Sequence, residues 1–168
     1  TVRTEDGQGS GWVARNVADV STFDVKKDIQ TAIGKAKGSA GAKALEPGKY
    51  TVILEPAAAA GLTSFMMFSF DARQADEGRS FLAKKGGGNR IGEQVFDERV
   101  SIHADPWDEN VPVVPWDADG GGGLAREKHT IINKGKVEWL QYSRLWAKEK
   151  GKREYGTPGN LILAGGDK

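Results

Sequence analysis

Apolar positions crowd into one stretch of the chain, residues 50–70, YTVILEPAAAAGLTSFMMFSF. Residues 50–54 are mostly β-branched or aromatic and predict a short strand. Pro56 then suits a first helical turn, where a missing N–H costs nothing. Glu55 beside it sits where a carboxylate favours the positive end of the helix dipole. Residues 57–70 are apolar nearly all the way round, which predicts a buried helix. Polarity returns at Asp71, and Gly78 marks the helix exit. A strand feeding a buried helix is the expected centre of the core.

The flanking pattern is plainer. Residues 1–5 and 12–18 read as strands joined by the Gly-rich reversal DGQGSG. Ser21 opens an S-x-x-D capping pattern. The helix it starts carries Val25, Ile29, Ala32, Ile33 and Ala36 on one face and stops at Gly38. Small residues 39–43 form the best candidate domain boundary. Residues 94–96 and 99–104 read as strands, the second with Val100, Ile102 and Ala104 on one face. Residues 105–123 are rich in Pro, Asp and Gly and predict a long irregular loop holding Trp107 and Trp116. A hairpin around Lys134-Gly135 joins residues 130–133 to 136–141. Residues 142–150 predict a short helix and residues 161–163 a final strand. The fold class is α+β: a twisted, mainly antiparallel sheet around one buried helix, preceded by a strand–strand–helix unit.

Composition narrows the function classes. A chain of 168 residues can build one domain or one and a half. A net charge of +1 gives no electrostatic footprint for nucleic acid or an anionic membrane. No apolar run is long enough to span a bilayer. Cysteine is absent, which excludes disulfides.

Candidate chemistry is sparse. The GGGNRIG run at residues 86–92 lacks the G-K-[ST] ending of a phosphate loop, so a flexible loop accounts for it better. Asp117-Ala-Asp-Gly resembles the start of a calcium loop but lacks the later carboxylates, which favours a turn. The only two histidines, His103 and His129, fall on separate expected strands without zinc-site spacing. Arg73, Asp76, Glu77 and Arg79 form a compact mixed-charge cluster after the apolar helix, with Ser80 next to it. A solvated helix end would look the same, with ion pairs worth under about 1 kcal/mol each. Trp107, Trp116, Trp139 and Trp146 could furnish a binding surface, although aromatics at strand spacing are usually core.

The order of several short motifs carries a family resemblance: ALEPGKYTVILEP, an apolar helix, ADEGRSFLAKKGG, IGEQVFDERV, a D-P step and a late KG hairpin. Between about residues 44 and 160 the chain resembles the TldD/PmbA family, the "modulator of DNA gyrase" proteins, which contains zinc-dependent peptidases and their partner subunits. In the metal-binding branch the apolar helix carries His-Glu-x-x-x-His. The resemblance sets Ser64, Phe65 and Ser69 at those three positions, and none of them can bind zinc or activate its water. It therefore implies a non-metal-binding role in peptide proteolysis, with no cofactor in this segment and zinc confined to the catalytic branch. It implies Arg73, Asp76, Glu77, Arg79 and Ser80 as candidates for lining a peptide groove or an interface. The implied partners are an unfolded peptide and a homo- or hetero-oligomer with a TldD-like subunit, in the cytoplasm, without nucleic acid or membrane. It also implies a central fragment of a longer protein: residues 1–38 end an N-terminal α/β domain, and residues 44–168 begin a β-rich C-terminal domain. Two other readings stay open: a competent zinc peptidase with ligands outside this segment, and a non-enzymatic interaction or regulatory module.

Overall fold

The computed structural model describes residues 1–118 and 122–164. The chain divides into two compact units, Thr1–Ala57 and Ala58–Lys168.

The first unit is a hairpin on a helix. β1 (Val2–Arg3) pairs antiparallel with β2 (Ser10–Gly11). The hairpin is as expected, but its second strand is formed by the end of the Gly-rich reversal rather than by residues 12–18. Close packing explains the shift. A methyl group on Gly11 would lie 1.9 Å from the Ala32 carbonyl oxygen, and one on Gly9 2.2 Å from that of Ala36. Only glycines let this strand reach the helix backbone. That helix, α1 (Val25–Ser39), is capped by the Asp24 carboxylate, which accepts from the Lys27 N–H, so the cap is Asp24 and not Ser21. Ala32 and Ala36 are buried, and buried Asp28 is held by the Arg15 guanidinium at 2.7 Å. Residues 50–54 form no strand, and Val52 and Ile53 are exposed. Strand propensity needs a neighbouring strand to act on, and among the described residues none pairs with this segment.

The second unit holds the sheet, with strands in the order β5-β4-β3-β6 and every pairing antiparallel. Its members are β3 (Ser101–Ala104), β4 (His129–Asn133), β5 (Lys136–Val137) and β6 (Ile162–Ala164). Alternation along β3 buries Ile102 and Ala104, as their spacing predicts. Lys134 and Gly135 both take positive φ at the β4–β5 turn, where a primed hairpin turn needs them. The short helix α4 (Arg144–Glu149) starts at Ser143, whose hydroxyl accepts from the Trp146 N–H. Part of the Asp117-Ala-Asp-Gly segment lies outside the described residues.

The apolar helix is the main departure from expectation. α2 (Pro56–Met67) continues into a 3₁₀ turn, Phe68–Phe70, and then α3 (Ala72–Asp76). No residue of α2 is buried, and Leu62, Phe65 and Phe68 are 63%, 78% and 73% exposed. The helix rests on the core only through its C-terminal end, where Met66 and Met67 pack against buried side chains and Phe70 is fully enclosed. Uniform apolarity says that a helix needs cover without saying from where. Among the described residues, nothing covers the outward face. The core instead gathers Phe70, Leu82, Ile102, Ile131, Ile132, Val137 and Leu140 between the sheet and the segment 70–82.

This division of burial has a measurable consequence. Phe70→Ala should destabilise the protein by about 3–5 kcal/mol by cavity formation. Phe65→Ala should change it by less than about 0.5 kcal/mol. Denaturant unfolding of both variants checks the contrast, and equal costs would contradict the placement of α2.

Candidate functional site

The joint between the 3₁₀ turn and α3 is fixed by main-chain bonds. The Gln141 N–H donates to the Phe70 carbonyl at 2.7 Å, and the Ala72 N–H donates to the Gln141 carbonyl at 2.8 Å. Asp71 caps α3, its carboxylate accepting from the Gln74 N–H at 2.7 Å. These bonds aim the charged end of α3 and the first residues after it.

The five candidate residues separate into three arrangements. Arg73, Glu77 and Arg79 come together: the Glu77 carboxylate accepts from Arg73 Nε at 2.7 Å and from Arg79 Nη2 at 2.5 Å. Hydrogen bonds from Arg73, and then from Arg79, hold its carboxyl below the usual range. The same pairing pushes Arg73 up. All three groups are solvent-facing, so the cluster orders this surface more than it stabilises it.

Asp76 turns elsewhere. Its two oxygens accept from Asn89 Nδ2 at 2.7 Å and from Trp146 Nε1 at 2.8 Å, tying α3 to the loop after residue 83 and to α4. Arg73 and Lys150 stack on the Trp146 ring at 5.3 Å and 4.6 Å. Trp146 is thus a structural tie rather than an open surface. The Ser80 hydroxyl donates to the Ser69 carbonyl at 2.7 Å and accepts from the Leu82 N–H at 3.1 Å. With both roles engaged, it braces the loop that follows α3.

Ser64 and Phe65 face solvent on α2, whereas half-buried Ser69 lies beyond α2 in the 3₁₀ turn. Two hydroxyls and a phenyl ring do not fit a zinc ion, and no step can be routed through one here. Among the described residues there is no group of three or more His, Cys, Asp or Glu able to hold a metal. His103 pairs with Thr130 and His129 with Ala104, so successive β3 positions direct the two imidazoles to opposite faces.

Sequence reasoning missed a groove beside these residues. It has a volume of about 290 Å³. Met67, Phe68, Trp139, Pro158 and Leu161 form its apolar wall, and Asp71, Gln74 and Gln141 a polar rim. The signal available was Trp139 and Gln141 on one predicted strand, but only the chain fold brings residues 67–74 and 157–161 to them. Behind Trp139 lies a ring cluster. His129 sits 5.3 Å from Trp139 and 4.7 Å from Tyr155, centroid to centroid. Burial pushes Tyr155 up to about 12, and its hydroxyl donates to the Leu140 carbonyl at 3.1 Å. Burial holds His129 below its ordinary value, with its Nε2 enclosed and without a partner.

A small α+β unit with a four-stranded antiparallel sheet and an apolar helix at its margin is the frame to compare with known proteins. Residues 47–167 match the PmbA/TldA metallopeptidase C-terminal domain. The chain belongs to the PmbA/TldD family. It is 31% identical over 136 residues to an uncharacterized protein of Methanocaldococcus jannaschii, a match covering 80% of this chain and 31% of that one. The fold is similar to that of a candidate modulator of DNA gyrase from Thermotoga maritima (TM-score 0.73, 23% identity, 88% of this chain and 35% of the other). It is also similar to a candidate modulator of DNA gyrase from Bacteroides thetaiotaomicron (TM-score 0.70, 22% identity, 90% and 33%). TldE from Thermococcus kodakarensis matches less of it (TM-score 0.50, 19% identity, 64% and 26%). The chain thus spans about a third of the length of these relatives.

The ring cluster generates a pH prediction. His129 takes up a proton less readily folded than unfolded, so the unfolded state binds more protons below its ordinary value of 6.5. Stability should be fully present above that value and fall as pH drops from about 7 to 5. Carboxylates held low by partners, such as Asp97 at about 2 beside Arg99, add their losses only at lower pH. Unfolding midpoints across this range should show the slope in the wild type and a flatter one in His129→Phe. A flat wild-type profile would contradict the reading.

Proposed function

We propose that this chain is the segment of a PmbA/TldD protein that acts in peptide processing in the non-metal-binding role. The reading is supported by the match of residues 47–167 to the family's C-terminal domain, taken with the resemblance that sets Ser64, Phe65 and Ser69 at the positions of its metal motif. The chain contributes a scaffold and a groove, and a metal-bearing subunit of the same family contributes hydrolysis. An unfolded peptide is the substrate class. Its extended main chain pairs with strand edges, which tolerates variation in sequence. Arg73, Glu77 and Arg79 present paired charges on the surface of the same unit. Residues 1–38 then close an N-terminal α/β domain, and residues 44–168 open the β-rich one. No described helix is long and apolar enough to cross a membrane, and the reading places the assembly in the cytoplasm.

The test uses the purified chain alone and mixed with a metal-bearing family subunit. Elemental analysis after dialysis should find far less than one zinc per chain. An unfolded peptide should stay intact with the chain alone and be cut faster by the mixture than by the metal-bearing subunit alone. Stoichiometric zinc with cleavage by this chain alone would instead make it a competent peptidase. A stable mixed complex without any acceleration would make it an interaction module.

A further inference from the structure

We propose that the groove bordered by Asp71, Trp139 and Gln141 is a pocket for one arginine side chain of an extended peptide, with the Asp71 carboxylate and the Gln141 side-chain carbonyl as its acceptors. That the occupant is a peptide rests on the peptide-processing reading; the choice of arginine rests on the groove alone.

The lining carries one charge, and it is negative. Among the described residues, no lysine, arginine or histidine borders the groove, and Asp71 is its one ionisable side chain. The Asp71 Oδ1 is used as the α3 cap, accepting from the Gln74 N–H at 2.7 Å. Its Oδ2 has no hydrogen bond or ion pair among the described residues. Arg73, two residues on, is committed to Glu77 and to the Trp146 ring. Gln141 offers the second acceptor, since its Oε1 is enclosed without a partner. Its amide is held only by a long 3.5 Å contact from Nε2 to the Tyr142 carbonyl, so it is free to turn toward an entering donor. Asp71 and Gln141 are paired across a parallel bridge, which stands the two acceptors together on the rim.

Charge and shape together select the guest. An apolar wall ending in two acceptors and one negative charge suits an apolar stem with a cationic head. Arginine fits better than lysine. Its guanidinium presents several N–H donors in a fixed fork that can meet both acceptors, is weakly hydrated, and stacks on an aromatic wall such as Trp139. A volume of about 290 Å³ lies at the lower edge of small-molecule sites, which run from roughly 300 to 1,000 Å³, and suits one side chain rather than a whole ligand. The sheet supplies the reason for a peptide. β6 is an edge strand, paired only with β3 among the described residues, and it starts at the residue after Leu161 of the groove wall. A peptide pairing along this edge has its main chain beside the groove.

The experiment titrates the purified chain into labelled, end-blocked peptides Ala-Ala-X-Ala-Ala, with X arginine, lysine, norleucine or glutamate, and follows fluorescence anisotropy. The arginine peptide should bind about tenfold or more tighter than the norleucine peptide, the worth of one charge-assisted hydrogen bond. Lysine should fall between them and glutamate should bind most weakly. Asp71→Asn keeps the α3 cap, because asparagine caps as well as aspartate, and should remove most of the arginine preference. Gln141→Met should reduce it as a second, independent variant. Glu98→Gln, at an exposed carboxylate elsewhere on the same unit, should leave it unchanged. Circular dichroism checks that the variants are folded. Equal affinities for arginine and norleucine would overturn the proposal, as would lysine bound as tightly as arginine or no saturable binding of any peptide. A preference that survives both groove variants, or is lost equally in Glu98→Gln, would overturn it too. Mixing with a metal-bearing subunit separates this proposal from the reading it builds on. Faster cleavage without an arginine preference in binding removes the pocket alone, whereas an arginine preference without faster cleavage keeps the pocket and removes the processing role.

Discussion

The larger unit depends on how residue 70 is held. Phe70 is fully buried, stacks on Phe96 at 6.4 Å and meets the edge of Phe81 at the same distance. Its carbonyl accepts from the Gln141 N–H, and the Ala72 N–H returns a bond to the Gln141 carbonyl. Main-chain pairing fixes direction, and the buried ring fixes depth. Together they decide where α2 leaves the core, where α3 begins and which side chains border the groove. Ion pairs such as Arg73–Glu77, Arg90–Glu93 and Arg99–Asp97 join near neighbours at the surface and add little to this positioning.

Much of this arrangement is legible in the sequence where local signals agree. Alternation marks β3 and Lys134-Gly135 marks the β4–β5 hairpin; of the expected apolar face of α1, Ala32 and Ala36 are buried whereas Val25 and Ile29 are exposed. The failures share one cause. Residues 50–54 and α2 have intrinsic preferences that only a neighbouring element can convert into a strand or a buried helix, and periodicity carries no information about that neighbour. The hairpin of the first unit failed differently. Gly9 and Gly11 look like loop residues until the approach of α1 shows that any side chain there would collide with its backbone.

The candidate residues were found as a cluster but not as a mechanism. Their nearness in sequence correctly placed Arg73, Glu77 and Arg79 in mutual contact. It could not show that Asp76 is committed to Asn89 and Trp146, or that the Ser80 hydroxyl is committed to Ser69. Those partners lie from 11 to 70 residues away along the chain. The groove was illegible for the same reason, since its wall joins residues from three distant segments.

The contacts that hold the helix joint and the side chains of residues 64, 65 and 69 are different sets of atoms. Phe70, Gln141, Asp71 and Ala72 act through one buried ring, a capping carboxylate and main-chain bonds. Ser69 enters only through its carbonyl, which any residue supplies equally well, while Ser64 and Phe65 face solvent. Substitution at residues 64, 65 and 69 can therefore change the chemistry of the helix without disturbing what positions it. A chain with histidines and a glutamate there would be held by the same bonds. Chemistry resides in a site grafted onto a fold rather than in the fold itself. Here the separation follows from which atoms carry the load: the fold is anchored at the C-terminal end of the apolar helix, and residues 64, 65 and 69 sit on the turns just before that anchor.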